Sequence, residues 1–383
     1  MRDHQRPAGT GSRTGVTAHR RTIGAVTTGA PHSTDGTDRP LVILKSPAYG
    51  ARATPILPYR IDHLRSEGWE LRWTDRNRSG RWATVANRTE ARTVPWVQAW
   101  LTRRDRRDAV ATVAMFESEA HGLALWRRVT RRRRPPLVVI SCWLADLAAA
   151  GGRRRSLYRW LYGAVDAVVV FSANQVPTLV DTLGIPADRI HVARFGVDLD
   201  ELSSAATTDA GTVVAVGRDL SRDWKTLAAA VGGTGWEVEL MTRRRQVVDI
   251  ELPPEVRFRD PGDRTAYLEL LAAAAVVVVP TGVHQYPAGQ TVLLEAMALG
   301  KACVVTDTPG IRDYVTDGVD AVLVPPHDPD SLRDAIGDLL DDPARRKAIG
   351  DAARQTSDEA GGAAAMWAGI ATVLGRVTGG ADR

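Results

Sequence analysis

The sequence predicts an α/β protein of two Rossmann-like, doubly wound parallel-sheet domains facing each other across a cleft. Three observations carry that expectation. Short runs of Val, Ile, Leu and Ala alternate with longer segments of helical periodicity, which is the signature of βα units in a parallel sheet with helices on both faces. The alternation runs twice, with a connecting stretch rich in Asp, Ser and Thr near 197–211 between the two runs. At 383 residues, 44% of them hydrophobic, the chain is long enough for two cores.

In order, the first half opens with a buried strand at 41–45 and a loop that carries Tyr49 and Gly50. Further strands are expected at 69–73, 110–116, 137–141 and 166–171, with helices at about 95–103, 122–129 and 156–162. The second half begins with a strand at 212–216 that ends in Gly217-Arg218. Residues 276–325 then read as a buried strand, a small-residue loop, a helix, a second buried strand, a turn and a third strand. Helices at about 329–340, 344–355 and 359–377 follow. Residues 1–39 are rich in Thr, Gly, Arg and His, lack hydrophobic periodicity, and are expected to be disordered or an over-long start. Ligands of open α/β sheets bind beyond the carboxyl ends of the strands, so the reaction centre should be the cleft between the halves.

Cys142 and Cys303 each sit in an apolar strand-like run and read as buried, inert thiols of a reducing cytosol. The longest apolar run, 270–279, is about ten residues, short of the roughly 18 needed to cross a bilayer. The N-terminus has no continuous apolar signal core, and the expected location is cytoplasmic. The basic residues are almost all Arg, with Lys only at Lys45, Lys225, Lys301 and Lys347. Net charge is divided between the halves. Residues 40–200 carry 26 Arg and Lys against 15 Asp and Glu, or +11, and residues 201–375 carry 16 against 26, or −10. Attraction between the halves explains this, as does contact of the basic half with an anionic acceptor or the inner face of an anionic membrane. Nucleic acid is not expected, because no aromatic-plus-basic recognition module accompanies the charge.

The most informative chemistry lies between 276 and 325. The loop delivers Ala288-Gly289-Gln290-Thr291 to the start of a helix, where free N–H groups and the helix dipole favour a phosphate. Glu295 interrupts an otherwise apolar helix face, and at about 1.5 Å per residue its carboxylate lies roughly 7–8 Å beyond the phosphate cradle. A nucleotide with its diphosphate on the helix end and its ribose hydroxyls on the acid fits that spacing.

On these residues the second half resembles the donor site of retaining family-4 glycosyltransferases, glycosyl transferases of group 1 with the GT-B architecture. Pro280, Glu295-Ala296-Met297-Ala298, Gly300, Val304-Val305 and Gly310 fall on the family's pattern. The resemblance implies that Glu295 binds the ribose. It also implies that Gly217, Arg218 and Arg222, with Lys225 as a substitute, neutralise the leaving diphosphate. The family's other Glu falls at Pro287, and Ala288-Gly289-Gln290 matches a sub-pattern that carries a small-Gly-Gln run there. His284 and Tyr286 are the residues available to take over the lost sugar contacts. The similarity covers about 40–375. It implies an acceptor-binding domain at 40–198, a nucleotide-sugar domain at 199–357, and a final helix within 358–383 that crosses back to the first.

Acceptor-side groups are expected at the loop carrying Tyr49 and Gly50, and at Glu117, Glu119 and His121 after a strand end, with His121 presented near the transferred sugar. Charged residues in such a place also serve simply as helix N-terminal charges. The family's usual His after the next strand is replaced by Ser141-Cys142-Trp143, with Asp146 close by. The function implied is transfer of a sugar from a nucleoside diphosphate sugar, UDP favoured over GDP, to a small-molecule or lipid-linked acceptor hydroxyl. The resemblance further implies retention of the anomer, without a metal or other cofactor. A nucleotide-sugar 2-epimerase of the same fold and an inactive nucleotide-sugar-binding scaffold are the alternatives.

Overall fold

Two six-stranded parallel sheets form the frame of the computed structural model, which describes residues 41–44, 60–74, 99–100 and 102–379. The first sheet contains β1 (Leu41–Leu44), β2 (Leu71–Thr74), β3 (Thr112–Met115), β4 (Leu137–Ile140), β5 (Ala167–Val170) and β6 (Ile190–Val192). Its order is β2-β1-β3-β4-β5-β6. The second contains β7 (Val213–Val216), β8 (Val238–Met241), β9 (Val256–Arg259), β10 (Val276–Val279), β11 (Ala302–Thr306) and β12 (Val322–Val324), in the order β9-β8-β7-β10-β11-β12. Strand order reverses at β1/β3 in one sheet and at β7/β10 in the other, and such reversals open the crevices in which this fold binds ligands. The loop of Tyr49 and Gly50, the segment 1–39 and most of the helix expected at 95–103 lie outside the described residues.

Burial explains the apolar runs. Along β7 and β10, Val213, Ala215, Val276 and Val278 face one core, while Val214, Val216, Val277 and Val279 face another, all at 1% exposure or less. Successive side chains point to opposite faces, so a strand covered on both sides has no polar position to offer. The core on the inner faces is continuous between the halves, joining Val113, Val138 and Val169 with Val277, Leu293 and Met297.

Helices of the first half are α1 (His63–Ser66), α2 (Glu117–Thr130), α3 (Leu144–Ala149), α4 (Gly152–Tyr162) and α5 (Gln175–Leu183). In the second they are α6 (Leu199–Ser203), α7 (Trp224–Val231), α8 (Arg264–Ala273), α9 (Gln290–Ala298), α10 (Pro329–Asp341), α11 (Pro343–Glu359) and α12 (Gly362–Gly379). Together α11 and α12 are long and apolar enough to cross a bilayer by length and composition. Met366, Trp367, Ile370 and Leu374 of α12, however, are buried in one cluster with Ile61 and Leu64 of the first half. The Ala363 N–H also donates to the Val197 carbonyl at 2.8 Å, so the last helix returns to the first half.

Two elements differ from expectation for local reasons. The helix expected at 122–129 starts at Glu117, straight after β3. Phe116 makes that turn alone, at φ 73° and ψ 172°, a conformation costing about 1–3 kcal/mol in a non-glycine residue. The strand expected at 69–73 begins at Leu71, because the Trp69 N–H is engaged with the Leu64 carbonyl at 3.0 Å.

Candidate active site

The carboxyl ends of β7 and β10 meet where the second sheet's order reverses. The chain leaving β7 passes Gly217 and Arg218 and is tied to the chain leaving β10 by Asp223 N–H to Pro280 O, 3.1 Å, and Gly282 N–H to Ser221 O, 2.8 Å. Arg222 lies under this junction with its side chain 2% exposed, and its Nε pairs with Asp219 Oδ2 at 3.1 Å. Arg222's charge and Ser221's hydroxyl overcome burial and hold the Asp219 carboxyl below its usual range.

Glycine is required on both sides of that guanidinium. A Cβ on Gly217 would lie 2.3 Å from Arg222 Nε, and one on Gly289 would lie 2.7 Å from Arg222 Nη1 and 2.5 Å from Val279 Cγ1. Gly289, at φ 83°, is also the residue that turns the chain into α9. Around it gather three buried polar atoms with no hydrogen-bond partner among the described residues: Arg222 Nη1, Thr281 Oγ1 and Gln290 Oε1. Orphans of this kind are rare in a folded core and call for an explanation. Of the first α9 amides, Gln290 donates to Pro287 O at 3.2 Å and Leu293 to Gly289 O at 3.1 Å. Those of Thr291 and Val292 have no backbone acceptor among the described residues. Arg218, just after β7, and Lys225, in the first turn of α7, are exposed. Of the expected donor residues, Gly217, Arg222 and Gly289 come together, with the Arg222 side chain buried inside the junction.

Glu295 is 4% exposed, deeper along α9. Its Oε1 accepts Arg264 Nη1 at 2.7 Å, and its Oε2 accepts the Tyr267 hydroxyl. Arg264 also pairs with Glu201 at 2.6 Å, so it bridges two acids. Burial pushes the Glu295 carboxyl up, and Arg264 and Tyr267 only partly oppose that. This bridge is not legible in the sequence, because Arg264 and Glu295 lie 31 residues apart.

The donor loop is held from the other half. Asp146 Oδ1 accepts the Gln285 N–H at 2.9 Å and Oδ2 accepts the Tyr286 N–H at 3.2 Å, with His284 Nδ1 3.5 Å from Oδ1. Asn174 Nδ2 donates to Gln285 O at 2.7 Å. Burial pushes the Tyr286 hydroxyl up to about 12. Its ring meets Trp143 edge-on at 6.4 Å, and Trp143 lies 5.5 Å from Phe116, so an aromatic row crosses between the halves. Pro287, where the family's Glu would stand, packs on Gly310.

Three acceptor-side expectations are corrected. Glu117 is 4% exposed, and its Oε1 accepts Ser141 Oγ at 2.7 Å and the N–H groups of Cys142, Trp143 and Leu144 at 2.7–2.9 Å. It anchors the β4–α3 turn; burial pushes its pKa up, the hydrogen bonds from Ser141, Trp143 and Leu144 opposing this in part, and its other oxygen is buried. Glu119 is 1% exposed and accepts the Ser118 hydroxyl at 2.6 Å, away from solvent. His121 faces α4, stacked on Tyr158 at 5.0 Å and edge-on to Tyr162 at 5.9 Å. Burial lowers its pKa to about 4, so it is a neutral packing residue near pH 7.

This paired-sheet frame has known counterparts. Residues 229–356 match the family described as glycosyl transferases group 1. D-inositol 3-phosphate glycosyltransferase of Xylanimonas cellulosilytica is 32% identical over 224 residues, covering 51% of this chain and 53% of that protein. The chain thus spans about half the length of that curated relative. Among solved structures, sucrose-phosphate synthase from Thermosynechococcus elongatus superposes with a TM-score of 0.67 at 18% identity, over 88% of this chain and 98% of that one. Anabaena HepE in complex with UDP and glucose superposes with a TM-score of 0.62 at 16% identity, over 88% and 100%. The chain thus shares the GT-B fold of these structures, and residues 229–356 match the group-1 glycosyltransferase family model.

Proposed function

We propose that the protein transfers a sugar from a nucleoside diphosphate sugar, with UDP favoured over GDP, to the hydroxyl of a small-molecule or lipid-linked acceptor, and that it retains the anomeric configuration without a metal. The observation that carries this reading is the corner at Gly289, where unpartnered polar atoms of Arg222, Thr281 and Gln290 lie at the start of a helix whose Thr291 and Val292 N–H groups have no backbone acceptor among the described residues. The likeness to a solved complex with UDP and to the group-1 family supports the same reading.

In the proposed reaction, the bond between the anomeric carbon and the diphosphate oxygen breaks, and the acceptor oxygen bonds to that carbon on the same face. The acceptor proton passes to the departing phosphate oxygen, so no separate base is required. Arg218 and the Thr291 and Val292 N–H groups stabilise the charge that develops on that oxygen, a task suited to preorganised donors. Arg222 positions them by bracing Gly217 and Gly289. For Glu295 to hold the ribose, Arg264, the more exposed member of their pair, yields part of its hold on the carboxylate.

Incubation with a panel of UDP- and GDP-sugars, followed by nucleotide release, tests the proposal. Release of UDP, slow with water and faster with an acceptor, is expected. Isomerisation of the sugar, or tight binding with no release, contradicts it.

A further inference from the structure

At the amino-terminal ends of β3 and β4, the end of the first sheet opposite the cleft, lies a cavity of about 390 Å³ bordered by Thr112 and Leu137. Seven arginines among the described residues line it. Two of them are buried, Arg106 at 6% and Arg127 at 7% exposure. Arg127 pairs with Asp166 at 2.5 Å and donates to the Arg133 carbonyl, while its Nε is buried with no partner among the described residues. Arg106 donates from Nε to Thr102 Oγ1 at 3.3 Å and from Nη2 to the Ala99 carbonyl. Burial, and then the charge of Arg127, lower the Arg106 pKa to about 10, with Asp105 opposing them in part.

Asp166 compensates the charge of Arg127, but Arg106, buried beside it, carries a further positive charge whose cost a bound anion would offset. Arg104, Arg107 and Arg132 add exposed positive charge at the rim, and Trp126 supplies an apolar wall. The volume lies within the range of small-molecule pockets, and guanidinium forks match the geometry of phosphate oxygens.

We propose that this cavity binds a phosphate-bearing anion, at a site separate from the corner at Gly289. The ligand is either a soluble phosphorylated metabolite or the headgroup of an anionic lipid, and the two are separable by experiment. Calorimetric titration with inorganic pyrophosphate compares the wild-type chain with a variant carrying Arg104→Ser, Arg107→Ser and Arg132→Ser, all exposed positions. The wild type is expected to show an additional binding event that the variant loses or weakens by roughly tenfold or more. Arg127→Lys, which keeps the charge beside Asp166 but removes the fork, is expected to weaken the same event. Because the readout is the difference between proteins, pyrophosphate bound elsewhere cancels.

Sedimentation with vesicles of phosphatidylglycerol and phosphatidylcholine in equal parts identifies the source. Vesicle binding that the triple variant loses and pyrophosphate competes away assigns a lipid headgroup. Variant-sensitive pyrophosphate binding without vesicle binding assigns a soluble ligand. Superimposable behaviour of wild type and variant with both probes overturns the proposal.

Discussion

Asp146 of the first half holds Gln285 of the second, its Oδ1 accepting the Gln285 backbone N–H at 2.9 Å. The Tyr286 N–H and His284 meet the same carboxylate, so one side chain fixes the loop that leads into α9. Asp146→Ala removes two hydrogen bonds to an anion, at about 1–3 kcal/mol each if the donors stay buried. The expected result is a roughly tenfold rise in KM for the sugar donor with only a modest loss of stability, read from steady-state kinetics and urea melts. An unchanged KM would reduce the contact to architecture.

Gly289→Ala meets two obstacles, a positive φ and a Cβ 2.5 Å from Val279 Cγ1. The first costs about 1–2 kcal/mol and the second about 1–3 kcal/mol. The variant is expected to melt earlier by that sum and to bind UDP poorly, because Arg222 is displaced with it. Thermal denaturation and UDP titration of the same sample measure both.

Glu117→Ala leaves the Ser141 hydroxyl and three backbone N–H groups around an empty position. A loss of about 3 kcal/mol or more is expected in urea denaturation. Glu117→Gln keeps one acceptor oxygen and should recover part of it. Equal stability of all three proteins would show that the turn does not depend on this carboxylate.

These corrections show which parts of the site could be read in the sequence. The donor corner is made by residues close in the chain: a strand end, Gly289, and Glu295 a turn and a half later. Helix geometry points to Gly289 and Glu295, whereas the roles expected of Gly217, Arg218 and Arg222 come from the family resemblance. The surroundings of Glu117, and the contacts that hold Glu295 and the donor loop, depend on pairings that local patterns do not encode. Glu117 finds its donors 24–27 residues away, Arg264 reaches Glu295 across 31, and Asp146 reaches Gln285 across 139. A His after a strand looked functional, but the phase of α2 turns His121 toward Tyr158. Most buried sheet runs were legible, since strands covered on both faces admit little else, but β8, where Glu239 interrupts the apolar run, was not among those expected.

His121 gives stability a pH signature. Its pKa is about 4 in the folded protein against an ordinary 6.5, so the unfolded chain binds more protons between those values. Stability is therefore complete above about 6.5 and falls as pH drops toward 4, by on the order of 3 kcal/mol at most for this group. His121→Phe is expected to flatten that part of the profile of Tm against pH. A profile identical to wild type would place the acid sensitivity elsewhere.

The central claim is that a nucleoside diphosphate seats its charge between Arg218 and the amino end of α9. Calorimetric titration of UDP into wild type and Arg218→Ala tests it most directly, because Arg218 is exposed and its removal should leave Tm unchanged. The account predicts binding by the wild type that the substitution weakens by roughly tenfold or more. Equal affinity in the two proteins, or no binding by the wild type, would contradict it.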